Sequence, residues 1–201
     1  MSLTPWLWLL AGPNGAGKST FGSDLSANIE EVIGPDAIAN ELLPTAPEKA
    51  ALKAGRQAIH RMRQLLRERQ SFAVETTLSG RLHLHVAKQA KAAGWNVGLI
   101  YIGLGSPDLA IERVRQRTLA GGHSVPPADI RRRYERSLKN LTTVSKLADF
   151  VLVLDNSSLR RAMKRVLEAR QGKVVFRQRR LPNWIRPVVN QVGWERSKKS
   201  Q

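Results

Sequence analysis

Eight residues near the start of the chain, Gly12-Pro13-Asn14-Gly15-Ala16-Gly17-Lys18-Ser19, match G-x-x-x-x-G-K-[ST] without a gap. The spacing has a mechanism. Glycines let successive backbone N–H groups turn inward around a phosphate, and a helix starting here aims its N-terminus at the same anion. Lys18 reaches the β- and γ-phosphates as a point charge, while Ser19 offers a hydroxyl to Mg²⁺. With Thr20 they form the expected contact set for ATP and Mg²⁺. The motif follows an apolar run, Trp6 to Ala11, and opens a helix-like run at Lys18, the context such a loop needs.

Carboxylates recur after apolar runs, where open α/β sheets place their ligands. Asp36 follows Gly34-Pro35 and is the candidate base for an acceptor hydroxyl; its competing role is a helix N-cap. Glu75, in SFAVETTLSG, is either a contact for an acceptor hydroxyl or a carboxylate holding Mg²⁺ through water, with Thr76 and Thr77 beside it. Asp155-Asn156 reads as a cap for a following helix or as lining for an adenine pocket. Two arginine clusters flank Gly121-Gly122 and Pro126-Pro127: Arg113, Arg115 and Arg117, then Arg131, Arg132, Arg133 and Arg136. They suit a lid over transferring phosphates, with Arg113 and Arg133 catalytic, Arg117 on the nucleotide and Arg136 on the acceptor. The alternative is two ordinary basic helix faces. Of the histidines, only His123, in the lid break, is placed to meet an acceptor.

The elements that must position these groups alternate. Apolar runs at 6–11, 31–33, 71–74, 96–104 and 150–154 read as buried strands. Helical patterns fill 18–28, 37–43, 50–69, 82–93, 107–119, 128–145 and 158–169. Residues 174–176 are a further short strand candidate. Continuous apolar strands between helices imply a parallel sheet covered on both faces. The expected fold is therefore α/β, a P-loop nucleotide-kinase-like three-layer α/β/α arrangement with a mostly parallel five-stranded sheet. A helical lid covers approximately residues 113–140. Residues 1–170 form the expected domain, and 171–201 a basic C-terminal extension.

The chain has 201 residues, 42% apolar and 24% charged, so it can bury a core and is not of disordered composition. It lacks cysteine, which excludes disulfides, thiolate metal sites and cysteine nucleophiles. No apolar run approaches the roughly 20 residues of a membrane span, and no basic residue precedes the first apolar stretch. The expected location is the cytoplasm. The net charge of +17 is uneven: residues 131–201 hold 19 Lys and Arg against 5 Asp and Glu. Such a block implies nucleic acid, an acidic protein or an anionic substrate, or else a solvated basic face.

AGPNGAGKSTF, the Pro-Asp-x-Ile-Ala segment at Asp36, FAVETTLSG, and YIGL-x-SPDLAIERVRQR…GGHSVPPADIRRRYERSL together resemble the zeta toxin family, and in particular its short bacterial chromosomal branch. The resemblance covers roughly residues 5–157. It implies ATP-dependent phosphorylation of the 3′-hydroxyl of the sugar in UDP-N-acetylglucosamine, and an antitoxin that blocks the ATP site. By this resemblance Lys18 is the P-loop lysine, Asp36 the base, Glu75 the glutamate meeting the sugar nucleotide, and Arg113 the first phosphate arginine. The family's second phosphate arginine is replaced by His123, so Arg133 or Arg136 is left to supply that charge. The basic residue and His-Pro pair that follow the family's base are absent, since the chain continues Asp36-Ala37-Ile38-Ala39.

Three functions remain open on the residues themselves. One is a kinase acting on a small anionic acceptor such as a nucleotide sugar. The second is a nucleic-acid end kinase, and the third is a non-catalytic nucleotide-gated module that binds nucleic acid or an antitoxin.

Overall fold

The computed structural model describes residues 4–25, 29, 31–122, 124–158 and 162–194. Strand β1 (Trp6–Ala11) runs into the glycine-rich loop and helix α1 (Lys18–Leu25). Strand β2 (Val32–Ile33) leads to α2 (Pro35–Leu42), with Gly34 as N-cap and Asp36 in the first turn. The long α3 (Pro47–Glu68) then returns the chain to β3 (Phe72–Thr76). Next come α4 (Leu82–Ala92), β4 (Asn96–Gly103) and α5 (Pro107–Leu119). Ser106 caps α5, its hydroxyl accepting from the Leu109 N–H at 3.2 Å, and proline occupies the first turn. The chain finishes with α6 (Pro127–Ser145), β5 (Phe150–Asp155), β6 (Lys164–Arg170), β7 (Lys173–Arg177) and α7 (Arg186–Val192). No helix among the described residues is long and apolar enough to cross a membrane.

The sheet order is β2-β3-β1-β4-β5-β6-β7. The first five strands are parallel; β6 and β7 add antiparallel. Successive side chains of one strand enter opposite cores. Leu7, Leu9, Val97, Leu99 and Tyr101 join one cluster; Leu10, Ile100 and Ile102 join the other. That two-sided burial is why these strands read as unbroken apolar runs. Helices α3, α4 and α7 pack on the first face, and α5 on the second. Helix α6 serves both: Ile130 and Tyr134 lie in the second cluster, Leu141 and Val144 in the first. On the way it is tied to strand ends. The Tyr134 hydroxyl donates to the Leu104 carbonyl at 2.7 Å, and the Tyr101 and Ser137 hydroxyls share a bond of 2.9 Å.

The mostly parallel α/β sheet is as expected, but it has seven strands, not five. Of the helix expected over 158–169, residues 159–161 lie outside the described residues, and the described remainder is not helical, with β6 taking much of its place. Its Leu, Glu, Ala and Arg residues favour a helix by propensity. However, β5 would otherwise leave an unpaired edge, and Val166, Leu167 and Ala169 are buried when the segment pairs with it. Residues 173–177 continue the ladder on β6, and Trp184, Ile185, Val188 and Val189 enter the first core. Trp184 lies so close to Gly103 that a Cβ there would sit 2.1 Å from its ring.

Candidate active site

The loop Gly12–Ser19 leaves β1 at the carboxyl end of the sheet, where β1 is flanked by β3 on one side and β4 on the other. This is the switch point at which doubly wound sheets open a crevice. Gly12 has φ +149, and a Cβ there would lie 2.2 Å from the Ile102 carbonyl oxygen, so only glycine fits. The loop is braced from three elements. The Gly12 N–H donates to the Thr76 carbonyl of β3 at 3.2 Å. The Asn156 amide, just past β5, donates to the Ala16 carbonyl at 2.9 Å. Arg113 of α5 donates to the Gly15 carbonyl at 3.4 Å. Two buried polar atoms in this cradle lack partners: Asn14 Oδ1 and Arg113 Nε. A binding loop that receives a polar ligand accounts for them.

Lys18 is 8% exposed. Its Nζ donates to the Pro13 carbonyl at 3.1 Å and lies 4.0 Å from Glu75 Oε1. Burial lowers its pKa below the ordinary lysine value. The nearby carboxylates of Glu75 and Asp36 act in the opposite direction, and Arg117 adds to the lowering. Ser19 Oγ donates to the same Glu75 oxygen at 3.1 Å. Ser19 and Glu75 are oxygen donors of the kind Mg²⁺ takes. Among the described residues no group of three or more His, Asp or Glu could hold a metal. An ion at Ser19 and Glu75 would therefore draw its other oxygens from phosphate and water.

Thr76, Thr77 and the turn after β3 form one side of the crevice. Thr76 Oγ1 accepts from the Leu78 N–H at 2.9 Å and meets His83 Nδ1 at 3.0 Å. Thr77 Oγ1 lies 2.9 Å from Ser79 Oγ. The Asn140 amide of α6 donates to the Leu78 and Gly80 carbonyls at 2.8 and 3.3 Å. Leu78 holds a left-handed φ of 56° while buried, so the turn is over-determined by these bonds. Burial depresses the His83 pKa to about 4, which keeps the ring neutral.

Beyond β3 at the same sheet edge, Asp36 follows β2 and is exposed in the first turn of α2. Its side chain does not cap the helix, since Gly34 holds the cap position. Its charge nevertheless reaches Lys18. Arg113 is half-buried against the loop, and desolvation lowers its pKa while Asp155 raises it. Arg117 and Thr20 are exposed. The second arginine cluster divides. Arg131 pairs with Asp108 and Arg132 with Asp129, whereas half-buried Arg133 and exposed Arg136 make no ion pair among the described residues. His123 lies outside the described residues.

Several contributors escaped the sequence reading. Asn140 was an unremarked amide on α6, although a polar residue between Ser137 and Leu141 on a core-facing stripe was a signal. Asp155 caps no helix, because β6 follows it; its carboxylate accepts from Ser157 Oγ at 2.5 Å and from the Trp184 indole N–H at 3.0 Å. Nothing local in the basic C-terminal sequence marks Trp184 for that contact.

The family model described as AAA domain matches residues 7–141, more than half of the chain. An uncharacterized protein of Haemophilus influenzae is 35% identical over 123 residues, 61% of this chain and 88% of the relative. Among solved structures, a chain of the PezAT chromosomal toxin–antitoxin system of Streptococcus pneumoniae superimposes with a TM-score of 0.58. It is 18% identical, over 77% of this chain and 69% of its own. A chain of the AvrRxo1-ORF1:-ORF2 complex determined with ATP gives 0.60 at 14% identity, over 100% of this chain and 67% of its own. At such identities the structural likeness is one of fold. The matched residues contain the loop, Glu75, Asp36 and the arginines of α5 and α6, and on that match the chain belongs to the AAA domain family.

Proposed function

We propose that the chain is an ATP-dependent phosphotransferase that moves the γ-phosphate of ATP to a hydroxyl of a small anionic acceptor, with a nucleotide sugar such as UDP-N-acetylglucosamine as the first candidate. The observation that carries this reading is convergence. Lys18, Ser19 and Glu75 meet within 4.0 Å at the mouth of the loop, and the Asp36 charge reaches the same lysine from α2.

In the proposed reaction Lys18 leaves the Pro13 carbonyl for the β- and γ-phosphates, and loop N–H groups hold the remaining oxygens. Ser19, with Glu75 beside it, would hold Mg²⁺, which would supply neutralisation of charge on the phosphates. Asp36 orients the acceptor hydroxyl and takes its proton. The acceptor oxygen bonds to the γ-phosphorus as the bond from that phosphorus to the bridging oxygen breaks, and ADP leaves. Arg113 and Arg133 neutralise charge that develops in transfer, and Arg136, Thr76 and Thr77 face the acceptor. Burial lowers the Lys18 pKa, but the nearby carboxylates and the incoming phosphates favour the charged form.

The nucleotide-sugar acceptor is supported by the zeta-toxin-like run FAVETTLSG, and a masking protein partner by likeness to a chain from a toxin–antitoxin system. Such a reaction belongs in the cytoplasm, where ATP is abundant. The deciding experiment incubates the protein with γ-labelled ATP, Mg²⁺ and a panel of nucleotide sugars and 5′-hydroxyl oligonucleotides. Label on a sugar hydroxyl is the expected result. Label on oligonucleotide ends alone makes the protein a nucleic-acid end kinase. Release of free phosphate alone would overturn transfer.

A further inference from the structure

The outer face of α3 carries a straight row of basic side chains. Lys49, Lys53, Arg56, His60, Arg63 and Arg67 follow one another at spacings of four, three, four, three and four residues. At 100° per residue they all lie within about 40° of one direction. The row extends about 27 Å at 1.5 Å per residue, with roughly 5–6 Å between neighbours. All six are exposed, and among the described residues none makes a hydrogen bond or ion pair. The opposite face of the helix holds Ala54, Ala58, Met62 and Leu65 in the core, so the row is the part of α3 farthest from the sheet. No acidic residue interrupts it. Glu68 sits off the row, beside Gln64, which donates to it at 2.8 Å.

The other basic regions of the molecule differ. Arg165 and Arg170 both pair with Glu168, and Arg165 also lies 3.8 Å above the Phe176 ring. Arg186 donates to the Leu181 carbonyl, and Arg131 and Arg132 have carboxylate partners. Thus the C-terminal third holds more charge, but part of it is committed to the protein's own groups. The α3 row is uncommitted.

We propose that the outer face of α3 is a binding track for the phosphate backbone of nucleic acid, independent of base sequence. Charge complementarity names a polyanion, and the composition of the row selects among polyanions. A protein partner is anchored by aromatic and apolar side chains, with lysine depleted at the contact. The row has no Phe, Tyr or Trp, and Leu52, 72% exposed, only borders it. The same lack of these rings leaves no platform for stacking bases, so contact stops at the phosphates. The track begins beside α2, which carries Asp36, and runs down the side of the sheet toward the start of β3. Binding along it needs neither ATP nor transfer, so it stands or falls separately from the proposed reaction.

The test measures anisotropy of a fluorescein-labelled 20-base-pair duplex of random sequence, without ATP, between 50 and 200 mM KCl. Five cations on phosphates give a slope of log K against log salt of about −4.5. The variant Lys53→Gln/Arg56→Gln/Arg63→Gln should flatten that slope by roughly 2.7. A control, Lys173→Gln/Arg179→Gln/Arg180→Gln, should leave it unchanged. Circular dichroism melting checks both folds; should the triple variant unfold, Arg63→Gln alone should remove about 0.9 from the slope. An unchanged slope in the α3 variants, or the loss appearing in the C-terminal control instead, overturns the track. Poly-glutamate bound more tightly than the duplex would also overturn it in favour of an acidic protein partner.

Discussion

Lys18 and Asp36 face the same crevice under different conditions. Lys18 is buried, bonded to a loop carbonyl and set beside Glu75, in a loop braced from β3, α5 and the end of β5. Asp36 is exposed, on a helix that follows a strand of two residues at the sheet edge. The nucleotide loop is therefore pre-organised, and under the proposed reaction the acceptor side would gain its geometry only when substrate and the arginines of α5 and α6 come together. Substitutions should divide accordingly. Those on the nucleotide side should remove binding, and those on the acceptor side should remove turnover.

The largest effect should come from Lys18→Ala. Transfer should fall by about 10³-fold or more, on the scale of losing a charge aimed at the transferring group. The rise in melting temperature with ATP and Mg²⁺ should shrink with it. A variant that still transfers at the wild-type rate would place the chemistry elsewhere.

Arg113→Ala should lower kcat by about 10-fold to 100-fold and raise the ATP KM less, because the charge it meets develops late. Its Nε lacks a partner and its NH1 bond to Gly15 is long, as expected of a group that awaits phosphate. Steady-state kinetics decides: a pure KM effect would make it a loop brace only.

Asn140→Ala frees the turn after β3 from α6. The acceptor KM should rise several-fold, with ATP affinity unchanged by calorimetry. An equal loss in both would mean that the two sides of the crevice are not separable.

The smallest effect concerns His83, held neutral with a pKa of about 4 against an ordinary 6.5. The unfolded chain binds this proton at higher pH than the native one, so stability falls as pH drops from about 6.5 toward 4 and the loss saturates below that. The loss amounts to roughly 3 kcal/mol at most. Chemical denaturation of His83→Gln across this range should show a flatter pH dependence than the parent. An identical profile would remove His83 from the acid response.

Legibility in the sequence follows the same division. The nucleotide loop is local, eight contiguous residues whose chemistry is complete in themselves, and its position between β1 and α1 is as the apolar run predicted. The bounds of β1 and α5 also match, because two-sided apolar strands and a Ser-Pro start are local signals. Contributions from distant residues were hidden. Asn140 reaches a turn 60 residues earlier, and Trp184 reaches Asp155 across β6 and β7. The helix expected over 158–169 fails for the same reason: the composition of residues 164–169 favours a helix, and only the free edge of β5 makes those residues part of a strand. Asp36 was legible as a carboxylate after a strand; that Gly34 takes the cap and leaves the Asp36 side chain out of the capping role is a matter of φ and ψ.

The division between the two sides is tested most directly by Asp36→Asn, measured for ATP affinity and for transfer of γ-labelled phosphate to the same acceptor. The account predicts an ATP Kd close to that of the parent and a turnover lower by about 10² or more, the scale of a lost general base. Parent-like turnover, or a loss of ATP binding that matches the loss of turnover, would contradict it.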